Sequence, residues 1–268
     1  MPALPATQPP SYSGVMRIGV AGIAGRMGRL VAEQILAAGA ELAGGTCLPT
    51  ETPPPGVAIH PSIAALAAAA DAVIDFTHAS AVQAHAAAIG QARRIWVLGT
   101  TGLAAADQEA VRAAAAQTAV IQAANFSPGV NLMLALARQL GAVLPAGTYD
   151  AEIVEMHHRQ KVDAPSGTAL AIGQHVAAGR GVALDDVAVF ARQGHTGSRT
   201  PGEIGFATLR GGQIVGEHTL LFTAASEQIA LTHRAFDRAS FANGAVRAAL
   251  WGATRPPGLY GMNDVIGI

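Results

Sequence analysis

A single cysteine, Cys47, stands in the whole sequence, so no internal disulfide can form. That excludes a disulfide-stapled secreted scaffold and fits a reducing compartment, so a cytoplasmic protein is expected. Charge is also scarce: 13% of residues are charged and the net charge is −1. The chain carries no basic footprint for nucleic acid or an anionic membrane. No apolar run is long and clean enough to span a bilayer; the Ala-rich stretch AALAAAADAVIDF is broken by Asp71 and Asp75. The Pro-rich opening, residues 1–14, lacks the apolar centre of a signal peptide and reads as a flexible leader. No HExxH helix is present, and neighbours His157 and His158 point to opposite faces if they lie on a strand, so no metal is expected. What the chain has is apolar content, 50% over 268 residues, enough for one large domain or two smaller ones.

The segment Glu152–Leu170, EIVEMHHRQKVDAPSGTAL, concentrates the chemistry. Ile153, Val154 and Met156 among polar residues read as a strand. His157, His158, Arg159 and Lys161 follow within a few positions, and Asp163-Ala164-Pro165 forces a turn, since the residue before proline is pushed from helical geometry. Ser166 can cap the apolar helix that comes next, leaving the N–H groups of Gly167 and Thr168 at its positive end for a carboxylate. Proton donors, a cation, a hydroxyl and an anion-binding helix start thus converge on a small anionic substrate. Solvated polar residues at a strand end are the plainer alternative.

Near the start, VMRIGVA reads as a buried strand running into GIAGRMG, with glycines at Gly22, Gly25 and Gly28. Leu30, Val31, Ile35 and Leu36 then form a helical stripe. A strand, glycine-rich turn and helix present backbone N–H groups to a dinucleotide pyrophosphate, and Arg26 in the turn could reach a phosphate. The second strand, ELAGGTC, ends at Cys47 where a carboxylate usually holds the adenosine ribose. Strands AVIDF, RIWVL and AVIQA alternate with Ala-rich helices and end in Asp75-Phe76-Thr77, Gly99-Thr100-Thr101-Gly102 and Ala124-Asn125-Phe126-Ser127. Thr, Gly or Asn at such ends can contact a nicotinamide or ribose, and equally serve ordinary turns.

After Ser127 the grammar changes. A long helix opens at Pro128, and beyond the central segment Val187–Ala191, Glu203–Arg210, Gln213–Phe222 and Gln228–His233 read as closely spaced strands, antiparallel through turns such as Gly211-Gly212. The predicted architecture is a Rossmann-like parallel-sheet dinucleotide-binding domain, 15–127 with 238–268, plus an α+β mixed or antiparallel-sheet domain, 128–237. His195 and His218 read as structural or surface residues without chemistry.

The ordered set GxxGRMG (Gly22–Gly28), IDFT (Ile74–Thr77), GTTG (Gly99–Gly102), ANFSPGVN (Ala124–Asn131), EMHHRQKVDAPSGTAL (Glu155–Leu170), EIGFATLRGGQIVGEHT (Glu203–Thr219) and FANGAVRAALW (Phe241–Trp251) resembles the 4-hydroxy-tetrahydrodipicolinate (dihydrodipicolinate) reductases of bacterial lysine biosynthesis. The resemblance implies reduction of a cyclic imine dicarboxylate by NADPH or NADH, and a homotetramer built through the second domain. It implies His157 and Lys161 as proton-transfer residues and His158, Ser166, Gly167 and Thr168 as substrate contacts. It places the cofactor on Gly22, Ile23, Ala24, Gly25, Arg26 and Met27, on Cys47, on Gly99, Thr100 and Thr101, and on Ala123, Ala124, Asn125 and Phe126. Ala24 and Cys47 depart from the family pattern. With no carboxylate to repel a 2′-phosphate and Arg26 nearby, the cofactor leans to NADPH. A related oxidoreductase on another substrate, or a nucleotide sensor without catalysis, are the alternatives. A semialdehyde dehydrogenase would need a nucleophilic Cys near a His, and Cys47 is poorly placed for that.

Overall fold

The structure, a computed structural model, describes residues 14–268. The leader expected over 1–14 lies, apart from Gly14, outside the described residues. Two compact units are present, one comprising the chain up to Ser127 together with Ala239–Gly267, the other Pro128–Arg238.

The first unit alternates strand and helix: β1 (Arg17–Ala21), α1 (Arg26–Ala37), β2 (Glu41–Thr46), α2 (Ile63–Ala69), β3 (Ala72–Asp75), a single 3-10 turn (Ala79–Ala81), α3 (Val82–Gln91), β4 (Ile95–Leu98), α4 (Ala105–Ala115) and β5 (Ala119–Gln122). The second unit follows with α5 (Pro128–Val143), β6 (Asp150–His157), α6 (Gly167–Arg180), α7 (Leu184–Val187), β7 (Ala188–Val189), β8 (Ile204–Arg210), β9 (Gly216–Thr223) and β10 (Gln228–Ala235). The chain then re-enters the first unit with α8 (Ala239–Gly252), β11 (Gly258–Tyr260) and α9 (Met262–Ile266).

In the first unit, six parallel strands run in the order β11-β5-β4-β3-β1-β2. Their residues alternate between two cores, because successive side chains leave opposite faces of a strand. Ile74, Val97 and Ile121 join Val31 and Ile35 of α1 and Ala245, Val246 and Ala249 of α8. Val73, Trp96 and Val120 join Leu66 of α2, Ile89 of α3 and Val111 of α4. This is the doubly wound arrangement expected. The strand order reverses between β1 and β3, so the loops leaving their carboxyl ends part at a switch point, where open α/β sheets bind ligands.

The second unit carries five strands in the order β10-β9-β6-β8-β7. A hairpin between β8 and β9 through Gly211-Gly212 is not what forms. β6 lies between them, parallel to β8 and antiparallel to β9, so the sheet is mixed. The link 211–215 instead crosses the end of β6, and Gly211 N–H donates to His157 O at 2.9 Å while Arg159 N–H donates to Gly212 O at 3.3 Å. β6 takes the centre because it alternates strictly, Ala151, Ile153, Glu155 and His157 being buried on one face. The strand expected over Val187–Ala191 forms only at the two residues of β7, which pair with Ile204 and Gly205, while Val187 closes the preceding helix α7.

Candidate active site

In the first unit the carboxyl ends of β1, β3, β4 and β5 are tied into one edge. Gly22 has a left-handed backbone, and a side chain there would meet Thr77 Cγ2 at 3.1 Å. The N-cap of α1 is Gly25, which has no side chain to cap it, and the first turn carries no acidic residue, leaving the early N–H groups and the positive helix end for an anion. A methyl group on Gly28 would lie 2.2 Å from Gly22 O, so glycine is what lets the helix start nest against the turn. These are features a pyrophosphate seat requires, and the residues present fit a dinucleotide. Arg26 is exposed at the head of α1, whereas Arg29 is engaged, donating to Ala24 O at 3.0 Å and to Thr52 O at 2.6 Å. The Ile23 side chain is fully buried, so only its backbone is available to a ligand, whereas Met27 is half-buried against the same core. Cys47 follows β2, half-buried against the same core.

Asp75, fully buried at the end of β3, organises the neighbouring loops and carried no expectation of its own. One of its oxygens accepts from Thr77 N (3.0 Å) and Oγ1 (2.6 Å), the other from Trp96 Nε1 at 3.2 Å and from His85 Nδ1 at 2.7 Å. Thr77 O in turn accepts from Thr100 Oγ1 at 3.0 Å, so the β3 and β4 ends are linked; Thr101 stays exposed beside it. Gly99 is needed for the close approach of Phe76, whose ring would lie 2.2 Å from an added Cβ. After β5, Ala123 N–H donates to Leu98 O, Ala124 is exposed, and Asn125 Oδ1 accepts from Ser127 N at 2.8 Å. The Phe126 ring is withdrawn into the core, edge-on to Phe76.

In the second unit the buried face of the sheet is apolar along most of its length, through Ile153, Phe206, Leu220 and Phe222, and turns polar where β6 meets the start of α6. There Glu155 and His157 lie two residues apart, hence on one face, with Arg210 beside His157 on β8 and His218 beside Glu155 on β9. Glu155 is 1% exposed. Its Oε2 faces His157 Nδ1 at 2.6 Å, its Oε1 accepts from Ser166 N at 3.0 Å, and Arg210 grips both oxygens at 2.8 Å. Burial pushes the Glu155 carboxyl up, but the Arg210, His157 and Ser166 bonds together hold it below its ordinary value, so it is ionised. Burial pushes His157 below its ordinary 6.5, against the pull of Glu155 and helped by the Lys161 and Arg210 charges. His157 is therefore neutral at pH 7, with its proton on Nδ1 toward the carboxylate and a lone pair on Nε2. The ring lies against Gly216, where an added Cβ would meet Nε2 at 2.9 Å.

Around this pair stand the other expected residues. Lys161 Nζ donates to Asp163 Oδ1 at 2.8 Å, in the turn before the cis Ala164–Pro165 bond. Ser166 caps α6, accepting from Ala169 N at 3.1 Å. Gly167 has nothing within 4 Å of where a side chain would project, so the helix start is open there; Thr168 follows within its first turn. His158 Nε2 accepts from Arg238 Nη2 at 3.3 Å, which puts the proton on a buried Nδ1 that has no partner among the described residues. An unpaired buried donor of this kind is a place for a ligand oxygen. Among the described residues no three His, Cys, Asp or Glu side chains are grouped as a metal centre needs, and no helix is long and apolar enough to cross a membrane.

Four residues of this cluster carried no expectation of chemistry. Glu155 had one signal: a carboxylate two residues before His157, in the buried register of an alternating strand. Arg210 and Arg238 had none, since they arrive from other elements. His218 is no surface residue. It is 5% exposed, lies edge-on to the His157 ring with centroids 5.1 Å apart, and pairs through Nε2 with Ser166 Oγ at 3.0 Å. Burial, with the charges of His157, His233 and Lys161 adding and Glu155 opposing, pushes it down to about 4.

That depression makes His218 a source of acid lability. The unfolded chain binds this proton below about 6.5 and the folded chain only near 4, so stability declines as pH falls between those values. The full effect is about 3 kcal/mol, reached below pH 4. Urea unfolding of His218→Gln is expected to show a pH slope between 6.5 and 4 that is shallower by one proton than that of the unsubstituted chain. An unchanged slope would mean that His218 titrates normally in the fold.

Comparison with known proteins gives the lineage. Residues 16–126 match the family described as "Dihydrodipicolinate reductase, N-terminus" and residues 129–266 match "Dihydrodipicolinate reductase, C-terminus". A 4-hydroxy-tetrahydrodipicolinate reductase of Granulibacter bethesdensis is 59% identical over 255 residues, covering 94% of this chain and 97% of that protein. The corresponding reductase of Gluconacetobacter diazotrophicus is 59% identical over 253 residues, covering 94% and 98%. Among solved structures, a dipicolinate-bound dihydrodipicolinate reductase from Paenisporosarcina sp. TG-14 superposes with a TM-score of 0.76 at 26% identity, covering 94% of this chain and 99% of that one. By sequence across both units and by fold, this chain is an oxidoreductase belonging to the dihydrodipicolinate reductase family.

Proposed function

We propose that the chain reduces 4-hydroxy-tetrahydrodipicolinate to tetrahydrodipicolinate in the diaminopimelate route to lysine, with a nicotinamide dinucleotide as reductant. One observation carries the reading. A neutral His157, the Lys161 turn and the open start of α6 meet at one end of β6, where a ring dicarboxylate needs both proton transfer and carboxylate recognition. The Gly167-Thr168 helix start takes one carboxylate, and the unpaired Nδ1–H of His158 donates to the substrate.

The net change replaces a ring hydroxyl by hydrogen. Water leaves, a hydride arrives, and one proton is consumed. The nicotinamide, held on Gly22–Met27, Gly99–Thr101 and Ala123–Phe126, supplies the hydride when bound. His157, with its Nε2 lone pair, takes the ring proton lost as water is eliminated and returns it once the hydride has arrived. The Lys161 ammonium protonates the leaving hydroxyl, and the neutral amine it leaves regains from solvent the one proton that the net reaction consumes.

The end of β2 offers no carboxylate against a 2′-phosphate, and Arg26 is exposed nearby in the chain's glycine-rich turn, so NADPH is the preferred cofactor with NADH also accepted. The protein works as a cytoplasmic homotetramer assembled through the second unit. The test is oxidation of NADPH and of NADH at the nicotinamide absorbance band, with substrate made in place from pyruvate and aspartate semialdehyde by a separate synthase. Turnover dependent on that synthase and faster with NADPH is expected. Cofactor binding without turnover would favour a sensing role, and equal dissociation constants for the two cofactors would refute the preference.

A further inference from the structure

The buried carboxylate of Glu155 bonds to three different parts of the site at once. Its Oε2 meets His157 Nδ1 at 2.6 Å, and its Oε1 takes the N–H of Ser166, the cap residue of α6, at 3.0 Å. The Arg210 guanidinium closes the set, reaching both carboxylate oxygens at 2.8 Å and Asp163 O, in the turn that carries Lys161, at 2.6 Å. A lone carboxylate at 1% exposure would be costly to bury; here every oxygen is committed and the charge is paired. Ile153, one pleat earlier on the same face, lies in the apolar core with Phe206 and Leu220, so Glu155 marks where that face turns from packing to polar contacts.

We propose that Glu155 and Arg210 are positioning residues for the reaction. The carboxylate, oriented by the guanidinium fork, holds His157 in the tautomer that leaves Nε2 free, and ties that imidazole to the helix start that receives the substrate carboxylate and to the Lys161 turn. The inference rests on the reading of His157 as the proton-transfer residue. An imidazole with no acceptor at Nδ1 divides its proton between the two nitrogens and rotates, so that a share of the molecules presents N–H where a lone pair is required. A lysine at 210 would supply the charge but not the planar fork that reaches two carboxylate oxygens and a carbonyl together.

The test uses the full chain with Glu155→Gln and reads two independent quantities. Long-range 1H–15N spectra, with the His157 signal assigned by its loss in His157→Gln, report the tautomer directly. The Nδ1–H form is expected in the unsubstituted protein and a mixture containing Nε2–H in Glu155→Gln. The turnover number is expected to fall about 10- to 100-fold, the range typical when an outer partner orienting a histidine is removed, with KM for NADPH little changed. In a His157→Gln background the same substitution is expected to cost less than about twofold, because residues acting through one group are not additive. If Glu155→Gln does not fold, Glu155→Asp keeps the charge with Arg210 while drawing it away from His157, and the same two readouts apply. A preserved Nδ1–H tautomer, or equal losses with and without His157, overturns the proposal. A tautomer change together with normal turnover of His157→Gln would leave the anchoring intact and sink instead the role given to His157.

Discussion

His157→Gln is expected to lower the turnover number by about 10²–10⁴-fold, the usual worth of a positioned acid–base group, while dissociation constants for NADPH and NADH stay near their starting values. Gln preserves the side chain's reach and can still donate to Glu155, so the fold should survive; what goes is a titratable lone pair. Lys161→Ala is expected to fall in the same range for a different reason. It removes the ammonium that now rests on Asp163, and with it a proton source and a charge matched to a dicarboxylate. The pH dependence separates the two. His157 must be neutral to accept a proton, and burial holds its pKa below 6.5, so the acid limb of turnover lies below that value and disappears in His157→Gln. Steady-state rates from pH 5 to 9 check this. Near-normal turnover in either variant would remove that residue from the reaction.

The parts of this molecule that could be read from sequence are those written in consecutive residues. β1, the glycine turn and α1 lie in one stretch, and both the helical stripe and the strand run are local patterns. The same holds for β6 and the cap at Ser166, where alternation, proline and a hydroxyl fall within a few positions. The rest depends on which distant strands pair. β8 and β9 look like a hairpin because a Gly-Gly step joins them, yet β6 enters between them from far upstream, and nothing local to either strand records that. Arg210 reaches Glu155 across 55 positions and His218 reaches Ser166 across 52, so two groups that touch the site were invisible until the register was known. α2 was hidden in an alanine run, and β11 is only three residues long, recognisable as a strand through its pairing with β5.

Gly28→Ala is expected to be the most damaging single change to cofactor binding, although it adds one methyl and would ordinarily favour a helix by about 1 kcal/mol. The methyl would lie 2.2 Å from Gly22 O, 2.7 Å from Ile23 Cα and 2.9 Å from Gly22 C. All three are backbone atoms of the turn, so no side chain can swing aside. α1 must move away from the turn by the better part of an ångström, and β1 cannot follow, since Gly22 and Ile23 N–H both bond Thr46 O and Val20 is held in the core. Overpacking of this kind costs about 1–3 kcal/mol. It falls on the geometry that aims the helix N–H groups at a phosphate, where displacements of this size cost as much again in affinity. Dissociation constants for NADPH and NADH should both rise by about 30- to 100-fold, corresponding to about 2–3 kcal/mol, with circular dichroism confirming a folded chain. Both cofactors share the pyrophosphate, so the two losses should be equal, whereas substitution of Arg26 should weaken NADPH more than NADH. A Gly28→Ala protein that binds either cofactor within about threefold of the original would show that the turn at Gly22–Gly28 is not where the pyrophosphate sits, because no arrangement of that turn around the added methyl keeps its N–H groups in place.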